Sequence, residues 1–143
     1  YEELAFGLLQ LNFNESIIHQ RIEEISTMLN ITHLLQQTPF KLSGGEKKKV
    51  AIAAVLLLNP DVIILDEPTN ALDPKTQHWL IALLKQLNLA GKTLIISTHN
   101  LHLVTEIANR GILFNEQHAI VADDDINQLI LQEDLLRQVN LIY

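Results

Sequence analysis

Val62-Ile63-Ile64-Leu65-Asp66-Glu67-Pro68-Thr69 is the stretch that decides the fold. Four consecutive aliphatic residues, three of them β-branched, make a short strand. A continuous run, rather than an alternating one, predicts burial on both faces, as in a parallel sheet. Asn59-Pro60-Asp61 ahead of it is a turn. Behind it, Asp73 reads as the cap and Pro74 as the first position of a helix reaching Leu89. Gly91 then punctuates, and Thr93 to Ser97 repeats the buried-strand pattern. Strand, helix and strand in this order predict an α/β fold with a mainly parallel sheet. Further on, Leu101 to Asn109 reads as a short helix. Gly111 to Phe114 and Ala119 to Ala122 read as a hairpin around Asn115 to His118, and Asp123-Asp124-Asp125 as the start of a last helical stretch.

Upstream, Ser43-Gly44-Gly45 opens a helix that runs to Leu58. Residues 1–38 read as helical, with Ile18, Ile22, Ile25 and Leu29 on one stripe, Asn14 or Ser16 as cap and Asn30 as the closing residue. Thr38-Pro39 marks a boundary, because the residue before proline is pushed out of the helical region.

The composition excludes several classes. The 143 residues are 48% hydrophobic and 19% charged, a globular balance. With no Cys there is no disulfide framework, thiolate metal site or thiol catalysis. A net charge of −7 argues against a partner that is nucleic acid. The longest apolar run, Val50 to Leu58, falls far short of the ~20 residues that cross a bilayer. The first residue is Tyr1 rather than Met, which leads one to expect a missing upstream piece.

Four short stretches carry chemistry. Leu42-Ser43-Gly44-Gly45-Glu46 stands at a helix N-terminus, where free N–H groups and the bare glycine backbone favour a docked anion. An ordinary capped helix is the plain alternative. Lys47, Lys48 and Lys49 in the first turn oppose the helix dipole, which makes more sense if an anion docks nearby; solvated lysines are the alternative. Asp66 and Glu67 end a buried strand, where α/β proteins bind ligands. Asp66 suits a magnesium shell through water, and Glu67 suits orienting a water. Asn70-Ala71-Leu72-Asp73 follows at once, and Leu94 to His99 is a second strand ending in a polar Ser-Thr-His tip.

Taken together, these stretches resemble the ATP-binding-cassette (ABC) family of ATPases. Leu42 to Glu46 looks like the signature motif, Val62 to Glu67 like the Walker B strand, Asn70 to Asp73 like the D-loop and His99 like the switch histidine. Within that family Tyr1 to Gly7, Val50 to Val55 and the tail from Ala122 to Leu141 are most similar to the ATPase subunits of energy-coupling-factor importers for cobalt, nickel and vitamins. The departures are Glu46 where Gln is commoner, Asn70 in place of a small residue, and Asp124 where a turn Gly is usual.

The resemblance implies a P-loop NTPase-like partial domain over residues 1–143. Residues 1–58 would be the end of the helical subdomain with the signature helix, and residues 59–143 the Walker B, D-loop and switch core with the tail. It implies that Glu67 and His99 are catalytic, that Ser43, Gly44, Gly45, Glu46 and Asp73 contact ATP, and that Asp66 supports Mg²⁺ through water. The partners implied are a second ATPase domain, paired head to tail, and transmembrane transporter subunits at the cytoplasmic face of the cell membrane. No phosphate loop is present. Gly91-Lys92-Thr93 has Gln86 where the first glycine should stand and leads into a strand, so it reads as a turn and the chain is not expected to hold ATP in cis.

Two other classes stay open. A chromosome-maintenance or DNA-repair ATPase half also carries a Ser-Gly-Gly-Glu signature, but residues 1–38 show no sustained heptads. A non-catalytic regulatory module with a degenerate cassette is countered by the retention of Glu67 and His99. His102 and Glu106 lack a third ligand for a metal, Asp123 to Asp125 lack the Gly and distal Glu of a calcium loop, and His19, His33, His78 and His118 receive no role.

Overall fold

In a computed structural model, which describes residues 1–142, the chain divides into two compact units. The first comprises residues 1–63 and 71–76, and the second residues 64–70 and 77–142.

The first unit is helical. Helix α1 (Glu2–Gln10) and helix α2 (Glu15–Met28) are separated by a break, and Asn14, one of the two caps the sequence offers, starts the second helix. The break has a local cause. Asn12 takes a left-handed backbone (φ 58°), and the Asn14 side chain accepts the Ile17 N–H at 2.9 Å, satisfying one of the free donors of a new helix. Asn30 closes α2 with φ 54°, as its side chain allows. Pro39 opens a single 3-10 turn (Pro39–Lys41), and α3 (Gly44–Leu56) follows. Leu4, Leu8, Ile18, Ile22, Leu29, Ile31, Leu34 and Ala53 are buried, so α1, α2 and α3 share one core. Ile25, expected on the same stripe, is half-buried.

The second unit contains most of strand β1 (Val62–Asp66) and of helix α4 (Pro74–Leu89), then β2 (Thr93–Ser97), α5 (Leu101–Ile107), β3 (Arg110–Phe114), β4 (Ile120–Asp125), α6 (Ile126–Leu129) and α7 (Glu133–Gln138). β1 pairs with β2, and the Glu67 N–H donates to the Ser97 carbonyl at 2.9 Å. The two C-terminal ends therefore lie side by side, as in a parallel pair joined by a helical crossover. β3 and β4 form a separate antiparallel hairpin. Its turn is set by Asn115, whose Oδ1 accepts the N–H groups of Gln117 and Ala119, both at 3.0 Å. Leu80, Leu83, Leu84, Leu103, Ile126, Leu129 and Leu136 form the core.

Three sequence expectations are corrected. The β1 and β2 strands are not buried on both faces: Ile63 is buried, but Ile64 is 74% exposed and Ile95 53%. Among the described residues no element covers the alternate positions. Asp123, Asp124 and Asp125 do not begin the last helix but finish β4, with Arg110 gripping Asp123 through two 2.6 Å bonds across the hairpin. Only Asp125 serves the following helix, capping the Asn127 N–H at 2.8 Å. Finally, the three lysines lie beyond the first three positions of α3, where the acid is Glu46. The dipole conflict read from the sequence is therefore smaller than expected.

Candidate functional site

The residues singled out from sequence fall into two groups, one in each unit.

In the first unit Ser43 caps α3. Its backbone N–H and hydroxyl donate to Glu46 Oε2 at 2.8 and 2.7 Å, and its hydroxyl oxygen accepts the Glu46 N–H at 3.3 Å. This is a capping box, which satisfies donors at both ends of the first turn. Both hydrogen bonds from Ser43 hold the Glu46 carboxyl below its ordinary value. Asp73 does for α4 what Ser43 does for α3. It accepts the Thr76 N–H at 3.1 Å and the Thr76 hydroxyl at 2.6 Å, and the same contacts lower its pKa. The two caps meet at Gly45, where a Cβ would lie 3.0 Å from Thr76 Oγ1. A Cβ at Gly44 would meet nothing within 4 Å.

In the second unit the parallel pair places its polar ends together. Asp66 accepts the Ser97 hydroxyl. Glu67 Oε1 accepts the His99 backbone N–H at 3.1 Å and lies 2.7 Å from His99 Nδ1. Glu67 Oε2 accepts the Thr98 hydroxyl at 3.2 Å. The Glu67 side chain is 30% exposed and that of His99 69%, so the carboxylate is sheltered while the imidazole reaches solvent. Glu67 has φ 40°, a left-handed backbone that costs a residue with a Cβ on the order of 1–3 kcal/mol and concentrates at functional positions. Asp66, Glu67 and His99 are thus brought to one strand edge, as the sequence predicts.

Thr98, which the sequence offers only as part of the polar tip, completes this cluster with Asn100 and Thr69, to which the sequence assigns no role. The Asn100 N–H donates to Thr98 Oγ1 at 3.1 Å, its Oδ1 accepts the Leu103 N–H at 3.2 Å, and its Nδ2 donates to the buried Thr69 hydroxyl at 3.4 Å. The only signal in the sequence was the run of hydroxyls before His99.

No cage of three or more His, Cys, Asp or Glu side chains exists among the described residues. Asp66 offers a hard carboxylate oxygen, the donor type that a magnesium ion takes. A triphosphate is only partly provided for. The exposed start of α3 offers backbone N–H groups, and no stretch of the chain has the Gly-x-x-x-x-Gly-Lys pattern.

A family model described as "AAA domain, putative AbiEii toxin, Type IV TA system" matches residues 2–105, and the chain belongs to this AAA-domain family. Its relatives are ATP-binding proteins of ABC transporters, energy-coupling-factor transporters included. A "Putative ABC transporter ATP-binding protein" of Methanosarcina acetivorans is 49% identical over all of this chain and 52% of its own length. The "Energy-coupling factor transporter ATP-binding protein EcfA" of Methanoculleus marisnigri is 38% identical over 98% of this chain and 50% of its own length. Among solved structures, cbiO1 from Clostridium perfringens, described as part of the ABC transporter complex cbiONQ, superposes with a TM-score of 0.78. It shares 31% identity over 96% of this chain and 55% of that one. The chain spans about half the length of the curated relatives it matches.

Proposed function

We propose that the chain is the signature and Walker B portion of the ATP-hydrolysing subunit of an ABC-type transporter, of the energy-coupling-factor kind that imports a metal ion or vitamin. One observation carries the reading: Glu67 Oε1 lies within hydrogen-bond distance of His99 Nδ1, at 2.7 Å, at the C-terminal ends of paired strands where Asp66 also stands. In this reading residues 1–58 are the helical subdomain end with the signature helix, and residues 59–143 the catalytic core with its tail.

ATP with Mg²⁺ supplies the scissile anhydride and a charge-neutralising cation. The chain's own residues position and stabilise, which is most of what phosphoryl transfer requires. Glu67 orients and deprotonates the attacking water. His99, its Nδ1 engaged by Glu67, presents its remaining edge to the γ-phosphate. Asp66 is the residue that would hold the magnesium ion, to which it would offer a hard oxygen donor. Ser43, Gly44 and Gly45 face the nucleotide of a second ATPase domain docked head to tail, with Glu46 behind them, and Asp73 lies at that interface. Transmembrane transporter subunits are the other partner, with the chain at the cytoplasmic face. Among the described residues no helix is long and apolar enough to cross a membrane itself.

The test is Glu67→Gln in the intact ATPase. Loss of a general base costs about 10²–10⁴-fold, so turnover is expected to drop by that factor while nucleotide binding is kept. Turnover unchanged from wild type would refute the assignment.

A further inference from the structure

Three consecutive residues at the end of β2 each serve one of two consecutive carboxylates at the end of β1. Ser97 donates to Asp66, His99 holds Glu67 Oε1, and between them Thr98 takes Glu67 Oε2. The Thr98 hydroxyl donates one hydrogen bond and accepts another. It has one proton and two lone pairs, and the Asn100 N–H occupies the oxygen as a donor at 3.1 Å. The hydroxyl proton is directed at Glu67 Oε2, 3.2 Å away. Asn100 is itself fixed, at one end by the first turn of α5 and at the other by buried Thr69.

The terminal torsion of a glutamate is broad and nearly two-fold, so one anchored oxygen does not fix the carboxylate plane. Two anchors on different oxygens do. We propose that Thr98 is the positioning residue for Glu67: its hydroxyl pins Oε2, so that Oε1 is the oxygen held at His99 and the carboxylate plane is set before a water arrives. The proposal rests on the reading of Glu67 as the general base.

The experiment compares Glu67→Gln, Thr98→Val, Thr98→Ala and Thr98→Ser in the intact ATPase, with kcat and KM for ATP measured separately. Valine keeps the shape and removes only the hydroxyl; alanine supplies the same deletion should the valine protein not fold. A hydrogen bond to a charged group predicts that both deletions lower kcat by about 10- to 100-fold. KM is expected to stay within about threefold, and serine to recover most of the kcat. The proposal is overturned if the hydroxyl deletions leave kcat within about threefold of wild type while Glu67→Gln removes turnover. It is also overturned if serine fails as badly as alanine, or if KM moves with kcat, since either marks a packing role. If Glu67→Gln itself retains turnover, the reading of the general base falls first and the proposal with it.

Discussion

Gly44 and Gly45 are neighbours with different surroundings. Gly45 is small because Thr76 stands against it, and Thr76 is tied to Asp73 by two hydrogen bonds. Among the described residues nothing stands within 4 Å of a Cβ built at Gly44. Under the proposed function, its bare backbone serves a nucleotide that approaches the start of α3 from outside. The two positions therefore separate folding from function. Gly45→Ala overpacks the Thr76 contact and is expected to destabilise the protein by about 1–3 kcal/mol, read by urea unfolding. Gly44→Ala should leave that stability within about 1 kcal/mol of wild type or raise it. In the intact ATPase it should still lower turnover, by about 10²-fold. The sequence announces both glycines with one motif and cannot distinguish them, because the distinction lies in a contact with a residue far along the chain. The same limit hid Thr98. A hydroxyl near a strand end is ordinary, and only the positions of Asn100 and Glu67 show where its proton goes.

Elements whose boundaries are set by their own residues were legible. Asp73 and Pro74 start α4 and Gly91, with φ 86°, turns the chain after it, so the helix runs from Pro74 to Leu89 as read. The sequence understates the length of β4 because the strand's last three residues are acidic, a composition that suits a helix start. The hairpin partner overrides that preference, pairing Arg110, Gly111 and Ile112 with Asp125, Asp124 and Asp123. The cap of α3 yields a prediction in pH. Ser43 holds the Glu46 carboxyl below its ordinary value of about 4.5, so the folded state binds the proton less readily than the unfolded one. The stabilisation is therefore complete above about pH 4.5 and is lost as pH falls through the lower, folded value. Glu46→Gln removes the titrating group. Urea unfolding at pH 6 and pH 3 should show wild type losing more stability on acidification than the variant; equal losses would mean that the capping box is not formed.

At the scale of the molecule the strongest constraint is what the chain contains. It carries an acid pair, a histidine and a capped helix start, all at positions the motifs announce, and no phosphate-loop pattern. Isothermal calorimetry of the 143-residue polypeptide should accordingly detect no ATP binding at millimolar nucleotide, a Kd weaker than about 1 mM. A micromolar constant would mean that the start of α3 binds triphosphate unaided. Two-sided strand burial lies beyond the sequence for a related reason: an unbroken aliphatic run signals that two faces want cover, but cover has to come from other elements. Ile64, Ile95, Ile112 and Phe114 instead meet water. Apolar groups laid out along short strands are sticky. Adhesion between chains along these strands is expected to lower the soluble yield of this polypeptide, and dilution should raise it.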